Sequence, residues 1–144
     1  MIVERSFDAE YVNAVVNAPE VRPFIGPGDY LDLSEAVARP ENWFLMGEHG
    51  GFALIWSAPG VHEVHTFILR EGRGRWARQA ASDGVAFAAS QGDRMLWTKI
   101  PDDQPNVALY ARAMGMQDTG VSIETFGKPY AVYKMELDTC QRLQ

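Results

Sequence analysis

The sequence predicts one α/β domain, spanning residues 1–144, built on a mixed, mostly antiparallel sheet of six to seven strands with helices on both faces. The chain has 144 residues, 47% of them hydrophobic and 22% charged, which is enough for one packed core. Segments rich in β-branched and aromatic residues alternate with segments whose apolar residues recur at helical spacing. The resulting order, β-α-α-β-β-β-α-β-α-β-β, places helices on both faces of one sheet.

Each element follows from a local pattern. We predict strands at 1–7, 43–48, 52–57, 61–69, 95–100, 121–126 and 130–137. We predict helices at 9–18, 33–39, 76–90 and 106–114. Asp8 is placed to cap the first helix, and Asp32 with Glu35 resembles a capping box for the second. Gly50 and Gly51 supply the turn of a hairpin between the second and third strands.

The most informative segment is the strand at 61–69 with the turn and helix that follow it. The turn at 70–75 contains three arginines and two glycines, and the helix begins directly after it. The first N–H groups of a helix have no partner within the helix, and its dipole attracts negative charge. The segment therefore predicts an anion site, strengthened by arginine side chains. The alternative is that Gly72 and Gly74 only form the turn while the arginines are solvated.

Composition excludes several classes of function. The net charge of −6 argues against a general nucleic-acid binder, so the basic turn suits a small anionic ligand. Cys140 is the single cysteine, which rules out an internal disulfide and a cysteine-based metal site. The three histidines, His49, His62 and His65, lack a zinc spacing, so we expect no metal. No apolar run approaches 18 residues and no signal pattern is present, which predicts a soluble, intracellular protein without membrane contact.

The order of elements resembles that of the GNAT superfamily of N-acetyltransferases over nearly the whole chain. This superfamily binds the pyrophosphate of acetyl-CoA at its strand-turn-helix, with the motif Arg or Gln, two residues, Gly, one residue, Gly or Ala. Arg73-Gly74 matches the start of the motif, but Trp76 and Arg78 stand at its small positions. A shifted frame fills the small positions with Gly72 and Gly74 and leaves Leu69 where Arg or Gln is usual.

A second resemblance lies at 100–116. Gln104 takes the position that usually holds Asn in the superfamily, and Gly115-Met116 takes that of a Gly-Phe pair. Tyr110 lies one residue from the tyrosine that often serves as general acid, and Ala111 occupies that position itself. One residue turns a side chain by about 100° around a helix, so Tyr110 is placed differently from that tyrosine.

The resemblance implies acetyl-CoA as cosubstrate and direct attack of an amine on its thioester. It implies that the cosubstrate is held by the strand backbone, the basic turn and the start of the fourth helix, at Phe67, Ile68, Leu69, Arg70, Arg73, Gly74, Arg75 and Gln104. Glu63 and His65 share one face of the strand and are candidates for the base, and Tyr110 is the candidate acid. The alternatives are a solvent-facing carboxylate for Glu63, a hydrogen-bonded structural histidine for His65, and packing for Tyr110.

Two functions remain open at this stage. The first is an N-acetyltransferase for a primary amine of a small molecule or protein, with the acceptor bound by the N-terminal helices and the acidic loop at 24–32. The second is a GNAT-fold protein without chemistry, because the turn also resembles that of a GNAT-like group encoded by tailed bacteriophages. Such a protein would act in virion assembly or bind a host protein, in the host cytoplasm or the virion. A homodimer formed through the apolar C-terminal strand is also left open.

Overall fold

The computed structural model describes residues 1–137, and Cys140 lies outside this range. Its strands are β1 (Glu4–Arg5), β2 (Trp43–Gly47), β3 (Gly50–Ala58), β4 (Val61–Ile68), β5 (Met95–Pro101), β6 (Gln117–Thr125) and β7 (Lys128–Glu136). Its α-helices are α1 (Ala9–Val16), α2 (Ser34–Ala38), α3 (Arg75–Ser90) and α4 (Pro105–Ala113). The predicted order of elements is confirmed. Within residues 1–137, no helix has both the length and the apolar character needed to cross a bilayer.

The strands form one sheet of seven in the order β1-β2-β3-β4-β5-β7-β6. All neighbouring strands are antiparallel except β4 and β5. These two strands run parallel, and the helix α3 connects them along the chain. The C-terminal strand β7 lies between β5 and β6, so both of its edges are already paired. The expectation that this strand pairs with a second copy is therefore wrong, and the edge at that side of the sheet is β6.

Helices cover the two faces of the sheet unequally. One face packs against α1 and α2 through a core that includes Val12, Val16, Phe44 and Phe67. The other face packs against α3 and α4 through two further clusters, which include Leu45, Phe52, Leu96, Ile100 and Tyr133. The strand residues in the core beneath α1 and α2 come from β2, β3 and β4. These two helices therefore cover only the half of their face of the sheet that these three strands form.

Four local predictions differ from the structure. Gly50 and Gly51 lie within β3 and do not form the hairpin turn, which falls at residues 48–49 between the paired Gly47 and Gly50. The first strand is limited to Glu4–Arg5, and β6 begins four residues before its predicted start, at Gln117. The capping box of α2 is wrong: Leu33 holds the N-cap position and has no side-chain cap. The carboxylate of Asp32 instead accepts hydrogen bonds from Asn13 Nδ2 at 3.0 Å and the Ser34 N–H at 2.9 Å. The contact with α1 thus overrides the local capping pattern.

Candidate active site

The two parallel strands at the centre of the sheet separate along their length. They pair only where Val61–Glu63 faces Met95–Trp97, although β4 continues to Ile68 and β5 to Pro101. Immediately past the last pair, Thr98 Oγ1 donates to the carbonyl of Val64 at 2.9 Å. A side-chain hydroxyl therefore ends the ladder, and a gap opens between the C-terminal halves of β4 and β5.

The backbone of β4 presents polar groups to this gap. The Val64 carbonyl points toward β5, and backbone groups alternate sides along a strand, so Thr66 and Ile68 also face the gap. Leu69 faces the opposite way, because its N–H donates to the carbonyl of His49 at 3.0 Å. Phe67 shares that orientation by the same alternation. Of the three predicted backbone donors, the structure therefore brings only Ile68 to the gap, and Thr66 was missed.

The turn after β4 delivers the start of α3 to the open end of the gap. A 3₁₀ turn over Arg70–Gly72 leads to Gly74, whose φ of +103° is one that side chains disfavour. Gly74 is the N-cap of α3, no side chain caps the helix, and no acidic residue lies in its first turn. The first N–H groups of a 16-residue helix are therefore directed outward together with the positive end of its dipole.

The arginines of the turn are exposed and carry no bound acid. Within the described part of the chain, Arg70, Arg73, Arg75 and Arg78 make no ion pair with a carboxylate within 4.0 Å. Arg73 Nη2 donates to the backbone carbonyl of Glu20 at 2.6 Å. A surface of positive charge, free for an anion, surrounds the helix start.

The pKa of the nearby Glu20 carboxyl is lowered, in part by this positive charge. Its pKa is lowered from the ordinary value, first by a hydrogen bond from its own backbone N–H and further by the Arg70 N–H and the charges of Arg70 and Arg73. Glu20 is fully exposed, so solvent screens these effects.

The bulky residue in the turn does not fill the gap. The indole of Trp76 packs edge-on against the His49 ring, with centroids 5.2 Å apart, beside the β2–β3 hairpin on the far side of β4. A Cβ added at Gly47 would lie 3.0 Å from this indole, and one added at Gly72 would lie 2.5 Å from the Cβ of His49. Gly72 therefore serves close packing, and Trp76 leaves the gap between β4 and β5 open.

Two predicted site residues come from α4. Gln104 is the N-cap of this helix, at the C-terminal end of β5 and so across the gap from the basic turn. Tyr110 lies between α4 and α3, where its hydroxyl donates to the Ala77 carbonyl at 2.9 Å. Burial raises the pKa of Tyr110 to about 12. The single phenolic proton is thus engaged in joining two helices.

Replacing Tyr110 with phenylalanine tests which role it has. We expect Tyr110→Phe to lower the free energy of unfolding by about 1 kcal/mol, because the Ala77 carbonyl loses its donor. We expect any acyl transfer to change by less than about tenfold, since a general acid typically contributes ~100-fold or more. Urea unfolding and a thiol-release assay measure the two effects, and a large loss of rate at unchanged stability would restore Tyr110 as the acid.

A charged cluster occupies the opposite face of the sheet, beside the start of the gap. Glu63 lies at its centre, with Oε1 3.3 Å from His65 Nε2 and Oε2 3.1 Å from Lys99 Nζ. The structure therefore brings Glu63 and His65 together as predicted, and Lys99 was missed. Period-two alternation along β5 places Lys99 and Trp97 on one face, but only the pairing of β4 with β5 shows that Glu63 shares that face.

Competing effects act on the Glu63 carboxyl. Burial raises its pKa, but the hydrogen bonds and positive charges of His65 and Lys99 outweigh burial and leave the pKa below its ordinary value. Glu63 therefore remains a carboxylate at neutral pH. An anionic oxygen at His65 Nε2 favours the tautomer with its proton on that atom, which leaves Nδ1 as the proton acceptor.

The loop at 24–32 is held in one shape from within. The Arg22 guanidinium donates to the carbonyls of Gly26, Pro27 and Asp29 at 2.7 to 3.0 Å. The ring of Phe126, in the β6–β7 turn, lies 3.5 Å from where a Cβ on Gly26 would be. This contact joins the loop to the β5, β6 and β7 half of the sheet.

Comparison with known proteins finds likeness in three-dimensional structure only. No family model matches the sequence, and no curated protein sequence matches it. The structure is similar to that of spermidine N-acetyltransferase from Vibrio cholerae in complex with CoA and spermine. The TM-score is 0.75 at 10% sequence identity, over 99% of this chain and 97% of that one.

Two further structures give the same result. A putative acetyltransferase of the GNAT family from Desulfovibrio desulfuricans has a TM-score of 0.73 at 14% identity, over 93% of this chain and 97% of that one. A putative acetyltransferase from Salmonella typhimurium with its cofactor acetyl-CoA has a TM-score of 0.68 at 14% identity, over 94% and 93%. At such identities the likeness shows the fold alone. The chain therefore has the mixed α/β fold of the GNAT acetyltransferases.

Proposed function

We propose that this protein binds acetyl-CoA and transfers its acetyl group to a primary amine. The observation that carries the proposal is the gap between β4 and β5, which opens past Glu63 and ends at the uncapped, arginine-flanked start of α3. Solved proteins of the same fold contain CoA or acetyl-CoA. The residues here fit such a ligand, since an extended thioester chain needs a strand edge and its diphosphate needs positive charge.

The basic turn is suited to the diphosphate. The first N–H groups of α3 follow directly on the turn at the end of β4, and Arg70, Arg73 and Arg75 all belong to this turn or to the first residue of the helix. Charge-assisted hydrogen bonds of this kind are roughly twice as strong as neutral ones. The absence of an ion pair at these three arginines within residues 1–137 supports this assignment, because their charges are not already neutralised by a bound carboxylate.

The strand edge is suited to the thioester. The N–H groups of Thr66 and Ile68 face the gap on β4, where β5 no longer pairs with them. A backbone donor fixed in position stabilises negative charge as it develops on a carbonyl oxygen. When bound, acetyl-CoA supplies an acyl group whose carbon is open to attack by an amine.

Proton removal from the amine falls to the Glu63–His65 pair. Glu63, kept ionised by Lys99 and His65, orients the imidazole through Nε2. His65 Nδ1 then accepts the proton of the attacking amine. Glu63 is a positioning residue in this scheme, and the face that carries both residues is the face on which the amine enters.

A small primary amine is the supported acceptor. The loop braced by Arg22 and the β6–β7 turn with Phe126 meet at the side of the sheet that carries Glu63 and His65. The Vibrio cholerae enzyme of this fold binds the small amine spermine. The scaffold alternative depended on Trp76 and Arg78, but the Trp76 indole packs against His49 and leaves the gap open.

Calorimetric titration with acetyl-CoA and with CoA tests the binding step. We expect both to bind, and Arg73→Ala to weaken binding about 10- to 100-fold, because one charge-assisted hydrogen bond to phosphate is lost. Arg75→Ala, at a guanidinium without a contact in residues 1–137, should act in the same direction. Arg39→Ala is the matched control, since Arg39 lies in α2's C-cap and pairs with Glu35.

Binding and transfer can be separated. Release of free thiol from acetyl-CoA on addition of primary amines, spermidine among them, measures transfer directly. If millimolar acetyl-CoA gives no heat and no thermal shift, the acetyltransferase proposal is wrong and a role for the fold without acyl chemistry follows. If acetyl-CoA binds but no tested amine causes thiol release, the proposed binding is correct and the proposed acetyl transfer is wrong.

A further inference from the structure

A lysine of this chain lies beside the Glu63–His65 pair, to which the proposed function assigns proton removal from the acceptor amine. Lys99 is two residues beyond Trp97, the last residue of β5 that pairs with β4, so its backbone borders the gap. Its side chain extends to the face that carries Glu63 and His65, and Nζ lies 3.1 Å from Glu63 Oε2. The side chain is 28% exposed and passes 5.8 Å from the Trp97 ring centroid.

We propose that Lys99 is an internal acceptor, acetylated on Nζ by this protein's own bound acetyl-CoA. The proposal rests on the proposed function and deepens it by naming a primary amine that the site itself supplies. A primary amine held beside the base that an external amine would use reacts as an intramolecular group. Correct positioning of this kind raises effective concentration by several orders of magnitude.

The reaction balances with the groups present. The ammonium of Lys99 first gives one proton to solvent, because only the neutral amine is a nucleophile and His65 must be free to accept the second proton. The C–N bond then forms between Nζ and the acetyl carbon, and the C–S bond breaks. The second proton leaves the nitrogen through His65 and reaches the departing thiolate, so that the products are N-acetyl-Lys99 and CoA with a free thiol.

Acetylation would alter the cluster as well as the lysine. An acetylated lysine carries no charge, so the ion pair with Glu63 is lost and Oε2 loses its cationic partner. Glu63 would then be held by His65 alone. The modification therefore changes the charge of the face on which an external amine enters.

The chain provides its own controls, because it has three lysines, Lys99, Lys128 and Lys134. The side chains of Lys128 and Lys134 are each 40% exposed, against 28% for Lys99. Both are paired with a carboxylate, as Lys99 is: Lys128 with Asp103 at 3.3 Å, and Lys134 with Glu136 at 3.1 Å. Uncatalysed acetylation would therefore favour Lys128 and Lys134, and acetylation in the site would favour Lys99.

The experiment incubates the full chain with acetyl-CoA without added amine and follows each lysine by peptide mass spectrometry. We expect Lys99 to be acetylated at least about tenfold faster than Lys128 and Lys134. Lys99→Arg should remove the rapid phase in the intact mass. Glu63→Gln and His65→Gln should each slow Lys99 at least about tenfold and leave the other two lysines unchanged.

The outcomes are separable from those that test the proposed function. Equal or faster acetylation of Lys128 and Lys134 would overturn the assignment of Lys99, and so would a Lys99 rate that neither Glu63→Gln nor His65→Gln changes. If acetyl-CoA binds and external amines release thiol while Lys99 stays unmodified, only the internal acceptor is wrong. If acetyl-CoA does not bind in the calorimeter, the proposed function and this inference both fail.

Discussion

His65→Gln is expected to lower kcat for acetyl transfer by about 100- to 10,000-fold, which is the usual contribution of a general base. Glutamine can keep a hydrogen bond to Glu63 but cannot accept a proton near neutral pH. The KM for acetyl-CoA should change little, because the arginine turn and the strand edge are untouched. Steady-state kinetics with thiol detection measures both constants.

The pH profile distinguishes this role from a structural one. The wild-type pH–rate profile should contain a limb that is absent from the residual activity of His65→Gln, because glutamine has no titratable group. Glu63→Gln should retain the limb, because His65 is still present, although its rate is lowered. His49→Gln is the matched control, since that ring packs against Trp76 away from the gap. An unchanged profile in His65→Gln would remove it as the base.

Asp93→Ala should cost about 1–3 kcal/mol of folding free energy, the range for leaving a buried hydrogen-bonding group without its partner. Asp93 Oδ2 lies 2.7 Å from His62 Nδ1, and both side chains are 3% exposed. His62 Nε2 lies 2.9 Å from the Glu41 carbonyl, and the Trp43 ring stacks on the imidazole at 3.9 Å. Both ring nitrogens lie within hydrogen-bond distance of an oxygen, so removing the carboxylate leaves a buried ring nitrogen without its partner.

Urea unfolding of matched variants measures this cost. Asp102→Ala is the control, because Asp102 is exposed in a turn and its side chain makes no hydrogen bond within residues 1–137. The control should change stability by less than about 0.5 kcal/mol. A loss in Asp93→Ala no larger than that of the control would show that the buried His62–Asp93 contact contributes little to stability. His62 lies in the part of β4 that pairs with β5, so this test measures the stability of the structure next to the start of the gap.

The strand, turn and helix at the centre of the fold could be predicted because their signals are local. The alternation in β4, the glycines of the turn and the helical spacing of α3 all lie within thirty consecutive residues. The same segment contains Glu63 and His65, whose shared face follows from period two. The position of the predicted arginines beside the start of α3 could also be predicted, since they lie in the short turn that leads directly into this helix.

What could not be predicted depends on contacts between distant residues. Lys99 joins Glu63 only because β5 pairs in parallel with β4, and nothing local in either strand fixes that register. Asp32 binds Asn13 of α1 in place of capping α2. Tyr110 reaches the Ala77 carbonyl because α4 packs beside α3, which a pattern within α4 does not contain.

The hydroxyl of Thr98 has a consequence for the energetics of ligand entry. By bonding to the Val64 carbonyl, it satisfies the last polar group of the paired region at the point where the two strands stop pairing. An incoming acyl-CoA chain would therefore reach an edge of β4 that is not paired with β5, so no hydrogen bonds between these strands need to break first. Such preorganisation leaves more of the gross contact energy as affinity.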